Sequence, residues 1–157
     1  MKIRLLVVGK TTDKALKMLE ENYTQRLTHY ISLERVELPD IKYAKTLTTE
    51  QLKEKEGALL LSKLETDDYL MLLDDKGRQM TSMDFANWLE VKYQAPFKRI
   101  NFCVGGAFGF SKNVYERAND QLSLSKMTFS HQMVRTVFLE QLYRACTLIK
   151  GEKYHHE

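Results

Sequence analysis

The chain begins with an apolar run, KIRLLVVG at residues 2–9, of the kind that forms a buried β-strand. Apolar residues then recur at spacings of three and four, which is typical of the buried face of an amphipathic helix. This set comprises Leu16, Leu19, Tyr23, Leu27 and Tyr30. The first thirty residues therefore predict a strand followed by a helix.

Two further segments repeat this pattern. SLERVEL at residues 32–38 alternates between apolar and polar side chains and stops before Pro39, so we expect a second strand there. Thr48 and Gln51 have the spacing of a capping box, in which each side chain bonds the other's backbone N–H at the start of a helix. The apolar residues of that helix are Leu52, Leu59, Leu60 and Leu64.

The second half of the chain continues the alternation. DYLMLLDD at residues 68–75 predicts a strand closed by the turn DDKG, and Thr81 or Ser82 can cap the helix after it. KRINFCVGG predicts the next strand, and SKNVYERAND predicts a short helix. A long helix ends the pattern, with Gly151 as its stop signal. Its apolar face consists of Met133, Val134, Val137, Phe138, Leu142, Ala145 and Ile149.

Strands that read as continuous apolar runs and alternate with helices indicate a mostly parallel sheet covered by helices on both faces. The sequence therefore predicts an α/β fold. Its 157 residues suffice to bury a substantial core. Because no internal repeat or Pro/Gly-rich linker divides the chain, we expect a single domain over residues 1–157.

Composition narrows the class of protein. With 43% hydrophobic and 29% charged residues, the chain lies in the ordinary range of folded, soluble proteins. Its apolar runs are too short for a membrane span, and MKIRLLVVGK lacks the features of a signal peptide, so we expect no membrane partner and a cytoplasmic location. Cys103 and Cys146 lie far apart in apolar segments, which favours buried reduced thiols over a disulfide or a zinc site. The net charge of +3 permits an anionic partner such as RNA without requiring one.

Ligands of parallel α/β sheets bind beyond the carboxyl ends of the strands, which directs attention to the loops after Leu73, Val104 and Leu124. VGGAFGFS contains three glycines that allow a ligand close to the backbone, but the G-x-G-x-x-G fingerprint of dinucleotide sites is absent. Such a turn either contacts a ligand or has a purely structural role, and the spacing leaves both open. The acidic turn LDDKG offers two carboxylates without a third ligand, so no metal is expected.

The segment LSLSKMTFSH is rich in hydroxyl side chains, which can bond backbone groups and leave other backbone groups facing a ligand. Its simplest interpretation is a helix cap, with Thr128 or Ser130 starting the last helix. We interpret His131 as a capping or partly buried residue and not as a catalytic one. Glu140 and Arg144 have the spacing of a helical ion pair. The tail KGEKYHHE adds cationic and aromatic side chains of the kind that stack on bases and pair with phosphates.

Several unusual strings occur in one order along the chain. They are KIRLLVVGK, LLDDKG, VGGAFGF, SLSKMTFSHQMVR, LEQLYRA and GEKYHHE. With these strings the chain resembles the RlmH family of bacterial ribosomal RNA large subunit methyltransferases over its entire length. The resemblance implies the SPOUT methyltransferase fold, an α/β domain whose C-terminal segment threads through a loop to form a deep trefoil knot.

Members of this family transfer a methyl group from S-adenosylmethionine to N3 of a pseudouridine in 23S ribosomal RNA, acting as homodimers on assembled ribosomes. The resemblance therefore implies S-adenosylmethionine as methyl donor, 23S rRNA in the ribosome as partner, and no metal. The methyl donor is a sulfonium, which needs no metal for activation. The main task of the enzyme is therefore to position the donor in line with the nucleophilic nitrogen. The low net charge agrees with a substrate that is recognised by shape in an assembled particle. The positions that match the family's donor site are Leu73, Gly105, Leu124, Ser125, Lys126, Met127, Thr128 and Phe129.

By the same resemblance, Arg144, Tyr154 and His155 match residues placed near the substrate, with the tail of one subunit approaching the donor bound by the other. We expect Arg144 to stabilise a phosphate or the developing anion, and His155 to remove the proton from N3 or to position the base. Family tails continue with Lys or Arg where this chain has His156. The charge of this tail, and its affinity for RNA, should therefore vary with pH.

Two other functions compete with this one. A non-enzymatic RNA-binding or ribosome-associated module could use the same scaffold, although plain electrostatic binding has no need for glycine and hydroxyl loops at three strand ends. An oxidoreductase of Rossmann type would need the missing glycine fingerprint, and it would carry its Gly-rich loop earlier in the chain. Binding of S-adenosylmethionine or NADH distinguishes these functions.

Overall fold

A computed structural model of the protein describes residues 2–156. The strands and helices alternate along the chain, as the hydrophobic pattern predicts. In order they are β1 (Lys2–Val8), α1 (Lys14–Leu27), β2 (Ser32–Leu38), α2 (Thr49–Leu61), β3 (Asp68–Gln79), α3 (Ser82–Tyr93), β4 (Arg99–Val104), α4 (Lys112–Arg117), β5 (Asp120–Ser123) and α5 (His131–Ile149). A short 3₁₀ turn at Ala44–Thr46 lies between β2 and α2.

The five strands form one sheet in the order β2-β1-β4-β3-β5, and every neighbouring pair is parallel. Side chains of β1 alternate between two buried clusters. Ile3 packs with residues of α1, α3 and α5, whereas Leu6 packs on the opposite face with residues of α2 and α4. The predicted α/β class, with helices on both faces of a parallel sheet, is therefore confirmed. The C-terminal trefoil knot stays a prediction.

The helix ends follow the predicted signals. Gln51 N–H donates to Thr48 Oγ1 at 3.2 Å and Thr48 N–H donates to Gln51 Oε1 at 3.0 Å, which completes the capping box of α2. Of the alternatives considered for the two later caps, Thr81 caps α3 and Ser130 caps α5. Gly151 ends α5 in the left-handed conformation, with φ of +70°.

Strand β3 differs from its prediction. It extends to Gln79 through the segment DDKG, which was expected to be a closing turn. The last added residues of β3 pair with β5, a four-residue edge strand. Strand β5 was not predicted from the sequence, because so short a strand gives no hydrophobic pattern. Leu122 of β5 pairs with both Leu73 and Arg78, so the residues between them bulge out of the ladder. This bulge places Asp74 and Asp75 beyond the buried part of the strand.

Helix α1 also departs from its predicted face. Leu19 is 46% exposed and Met18 is 70% exposed, while Glu20 is buried. Glu20 is satisfied by a 2.8 Å hydrogen bond from Thr11 Oγ1 and by an ion pair with Arg35. The buried side of α1 therefore includes the paired carboxylate of Glu20, whereas Leu19, which was expected on that side, is exposed.

The structure also bears on the two cysteines and on the expected lack of a membrane span. Cys103 and Cys146 are buried free thiols, as expected, and burial raises the pKa of Cys146 to about 12. Across residues 2–156, no helix combines the length and the apolar character that a membrane crossing requires.

Candidate active site

A cavity of about 440 Å³ opens at the carboxyl edge of the sheet. Leu73 of β3 lies opposite Val104 of β4 and Leu122 of β5, so the loops that leave these three strands converge on one space. The walls of the cavity are formed by residues 73–76, 104–110, 115, 122, 124–125, 127–131 and 134. The site therefore lies at the edge where the sequence places it.

The Gly-rich loop, residues 105–110, forms one wall. Gly109 N–H donates to Gly106 O at 3.1 Å, and Gly109 has φ of +85°, a conformation that favours glycine. At Gly106 a Cβ atom would lie only 2.5 Å from Oε2 of Glu56 in α2. This tight turn presents Phe108, which is 58% exposed, to the cavity.

The hydroxyl-rich loop, residues 124–130, forms the facing wall. Ser123 Oγ donates to the backbone oxygen of Ser125 at 2.8 Å, and Ser125 Oγ accepts from the N–H of Met127 at 3.0 Å. Ser130 caps α5 by accepting from Met133 N–H at 3.2 Å. These side chains fix the loop through bonds within it, which keeps its backbone in place against the cavity.

The β3 bulge gives the cavity a negative wall. Asp74 accepts hydrogen bonds from the Tyr115 hydroxyl and, at 2.9 Å, from the backbone N–H of Lys76. Burial and the bond to Asp74 raise the pKa of Tyr115, so the phenol remains a donor. Asp75 lies 3.5 Å from Thr128 Oγ1. Lys76 lines the same wall, so two carboxylates outnumber one ammonium there, which suits a positively charged ligand.

His131, the first residue of α5, also lines the cavity. Burial lowers the pKa of this imidazole, and the positive charge of Arg135 lowers it further. Both effects favour the neutral ring, in which one nitrogen can donate and the other can accept.

Arg135, one turn further along, is fully buried and joins α5 to the end of β1. Its Nη2 donates to Val8 O at 2.6 Å, and its Nη1 donates to Gly9 O at 3.0 Å and to Thr11 Oγ1 at 3.1 Å. These bonds tie the guanidinium to two backbone carbonyls at the end of β1. The start of α5, and with it His131, is thereby fixed beside the sheet.

A second cluster lies at the other end of α5. Arg144 Nη2 is 2.5 Å from Glu140 Oε1, and its Nη1 is 3.3 Å from Nδ1 of His155. The guanidinium also lies over the Tyr154 ring, 4.7 Å from the centroid. The Tyr154 hydroxyl donates to Glu140 Oε1 at 3.2 Å. We call Glu140, Arg144, Tyr154 and His155 the tail cluster.

The tail cluster and the cavity are separate within one protomer. None of Arg144, Tyr154 and His155 is among the residues that line the cavity. At a rise of 1.5 Å per residue, His131 and Arg144 are about 20 Å apart along α5. The structure therefore brings the three predicted catalytic residues together with one another, but not with the cavity of their own chain.

Comparison with known proteins fits this architecture. A family described as predicted SPOUT methyltransferase matches residues 1–155. The chain belongs to the SPOUT methyltransferase family. Its curated relatives within that family include proteins named ribosomal RNA large subunit methyltransferase H. The resemblance identified from the sequence strings is thereby confirmed.

These relatives match over nearly their whole length. The protein from Parabacteroides distasonis is 52% identical over all of both chains. The protein from Cytophaga hutchinsonii is 49% identical over 99% of this chain and all of its own. The protein from Christiangramia forsetii is 48% identical over 99% of each chain.

Seven of the eight positions matched to the family's donor site line the cavity. They are Leu73, Gly105, Leu124, Ser125, Met127, Thr128 and Phe129. Lys126 is the exception and is not among the lining residues. The positions come from three separate loops, and the sheet brings them together. That they bind the methyl donor stays a prediction.

Other lining residues were missed from the sequence. The sequence favours an acidic turn over a metal site for Asp74 and Asp75, and a capping or partly buried residue over a catalytic one for His131, and the structure shows that all three line the cavity. Tyr115 and Val134 gave no local signal, because each is an ordinary position in a helix. In residues 2–156, no group of three or more His, Cys, Asp or Glu side chains is placed to hold a metal ion.

Proposed function

We propose that this protein is a ribosomal RNA methyltransferase, and that it uses S-adenosylmethionine to methylate N3 of a pseudouridine in the 23S rRNA of the large subunit. The observation that carries the proposal is the cavity between the Gly-rich and hydroxyl-rich loops, in a chain of the SPOUT methyltransferase family. The relatives' name supports ribosomal RNA as the target class. The pseudouridine and its N3 position rest on the sequence resemblance.

The cavity fits such a donor in size and in chemistry. Its volume of about 440 Å³ lies within the range of small-molecule sites. Leu73, Leu124 and Phe110 give apolar surface for a purine ring, while the loop backbones offer hydrogen-bonding groups. The carboxylates of Asp74 and Asp75 complement a positively charged ligand. When bound, S-adenosylmethionine supplies a methyl group on a positively charged sulfur atom.

The reaction places two demands on the protein's own residues. The new bond forms between N3 and the methyl carbon while the carbon–sulfur bond breaks, and N3 loses its proton. We assign His155 to accept that proton or to hold the base, and Arg144 to stabilise the anion that develops on the base. Tyr154 lies beneath the Arg144 guanidinium and limits where it can move.

The distance between cavity and tail cluster supports a homodimer. Because about 20 Å of helix separates them in one protomer, the tail cluster of one protomer serves the cavity of its partner. Helix α1 offers an apolar contact surface for a second copy, since Met18 and Leu19 are 70% and 46% exposed. A protein of this function acts in the cytoplasm, where assembled ribosomes are.

Calorimetry with the wild-type protein tests the donor assignment. We expect S-adenosylmethionine to bind and NADH not to bind. Thr128→Trp should abolish donor binding because its indole fills the cavity, whereas Thr66→Trp, in an exposed turn away from the cavity, should not. A folded protein that fails to bind S-adenosylmethionine but still binds ribosomes would favour the non-enzymatic RNA-binding module.

A further inference from the structure

The loop between β2 and α2, residues 39–48, displays an aromatic side chain in an unusual way. Tyr43 is 80% exposed and adopts φ of 59° and ψ of 29°. Within residues 2–156 it is the one non-glycine residue with positive φ. A residue with a Cβ is disfavoured in this left-handed conformation, and exposure of a tyrosine ring brings no burial in return.

The loop holds Tyr43 in place by hydrogen bonds. The Tyr43 backbone oxygen accepts from the N–H of Thr46 at 2.9 Å and from its hydroxyl at 2.7 Å. Leu47 N–H donates to Ala44 O at 3.1 Å and completes the 3₁₀ turn. These bonds fix the backbone conformation from which the exposed Tyr43 side chain projects.

Two lysines flank the ring. Lys42 and Lys45 are both exposed. Neither forms a salt bridge with any residue of the segment 2–156. The loop thus presents an exposed aromatic side chain and, within two residues of it along the chain, two lysines that are available to an anionic partner.

The loop also lies at the edge of the sheet that holds the cavity. It follows the carboxyl end of β2, which is joined to the end of β1 by a 2.8 Å bond from Gly9 N–H to Leu38 O. Asp40, at the start of the loop, packs against Gly9, where its Oδ1 would lie 2.7 Å from an added Cβ atom, and Gly9 O accepts from Arg135, one turn after His131 in α5. His131 lines the cavity. The beginning of the loop is therefore a neighbour of the proposed donor site.

We infer that Lys42, Tyr43 and Lys45 form an RNA contact beside the cavity, in which the Tyr43 ring stacks on an unpaired base and the two lysines pair with phosphates. Single-stranded RNA is bound by this combination of aromatic faces and cationic groups. The inference deepens the proposed function and rests on it for the identity of the RNA as ribosomal. Beside the ring, the exposed neighbours are Lys42, Lys45 and Thr46, while the apolar residues Ile41, Ala44 and Leu47 are half-buried. This surface therefore suits an anionic partner better than an apolar protein face.

Equilibrium binding of ribosomes that lack the modification tests the contact. Tyr43→Ala should weaken binding about tenfold, and Tyr43→Phe should restore it, because stacking needs the ring and not the hydroxyl. In the double variant Lys42→Ala/Lys45→Ala, the slope of log affinity against log salt should fall in magnitude by about 1 to 2. The matched control is Lys55→Ala/Lys63→Ala, which removes two exposed lysines, in α2 and just after it, that likewise form no salt bridge within residues 2–156.

Three outcomes overturn the inference. The loop variants could bind ribosomes with wild-type affinity and salt slope, the control pair could lose affinity equally, or the loop variants could change the oligomeric state while binding ribosomes normally. The last outcome would indicate a protein contact instead.

Donor binding and methyl transfer by the wild-type protein separate the two claims. If the wild type methylates ribosomes and the loop variants behave like it, the loop inference alone fails. If the wild type binds ribosomes through the loop but neither binds S-adenosylmethionine nor transfers methyl groups, the proposed function fails and the RNA contact stands.

Discussion

Tyr154 in the C-terminal tail donates a hydrogen bond to Glu140 in the middle of α5, at 3.2 Å. The same carboxylate oxygen binds Arg144, and Arg144 in turn contacts His155. The tail is held from a second side by Glu152, which accepts from the Tyr30 hydroxyl at 2.5 Å. The tail is thus folded back against its own helix, and Glu140 holds Arg144 and Tyr154 directly and His155 through Arg144.

Glu140→Gln should lower methyl transfer about tenfold without changing donor affinity. The neutral amide no longer forms an ion pair with Arg144, so the guanidinium and the tail lose their fixed position. The measurement is kcat and KM on ribosomes, with donor affinity from calorimetry. Glu116→Gln, which alters an exposed helical pair with Lys112, is the matched control. Unchanged kcat in Glu140→Gln would contradict this role.

The Tyr154 phenol predicts a specific alkaline effect on stability. Burial and its tyrosine and carboxylate neighbours raise the pKa of Tyr154 to about 12, against about 10 in an unfolded chain. The contribution of this phenol to the free energy of folding is therefore complete below about pH 10 and is lost as the pH rises toward 12. We expect the wild-type Tm to fall more between pH 8 and pH 11 than the Tm of Tyr154→Phe. Equal falls in the two proteins would count against the assignment.

Arg144→Ala and His155→Ala should each reduce methyl transfer about 100-fold, which is the low end of the range for loss of a general acid–base group. Donor affinity should remain at the wild-type value, because neither side chain lines the cavity. Single-turnover methylation of ribosomes measures the rate of methyl transfer, and calorimetry measures donor affinity. If both variants methylate at the wild-type rate, the assignment of the tail cluster to catalysis is wrong.

Mixing two inactive variants tests whether the site is shared between protomers. Arg144→Ala keeps an intact cavity, and Thr128→Trp keeps an intact tail cluster. After subunit exchange, half of the dimers are mixed and each mixed dimer has one complete site, so we expect about a quarter of wild-type activity. Activity that stays at the level of the separate variants would show that cavity and tail cluster act within one chain.

Much of this fold could be predicted because its local signals agree with its packing. The apolar runs of β1 and β4 are buried on both faces, and the caps at Thr48 and Gly151 act where their residue types predict. The course of β3 could not be predicted, because its last residues are held by pairing with β5 across the bulge. Strand pairing between distant segments leaves little trace in the local sequence.

The candidate site, like the fold, could be predicted only in part from the sequence. The α/β pattern directed attention to the correct strand ends, since parallel strands bring their carboxyl ends to one edge. The Gly-rich and hydroxyl-rich loops gained a ligand role only from the family resemblance. His131 was interpreted as a helix-start residue, and only tertiary packing places its ring on the cavity. For Arg144, the sequence gives the ion pair with Glu140, while its contact with His155 depends on the fold of the tail.

The most direct test of the account is methyl incorporation into ribosomes that lack the modification. Purified protein is incubated with these ribosomes and labelled S-adenosylmethionine, and the 23S rRNA is digested and analysed by mass spectrometry. The account predicts that the wild-type protein adds one methyl group to N3 of a pseudouridine. When Thr128→Trp replaces the wild-type protein in the reaction, no methyl group should be added. A folded wild-type protein that leaves the 23S rRNA unlabelled, or that labels a different atom, would contradict it.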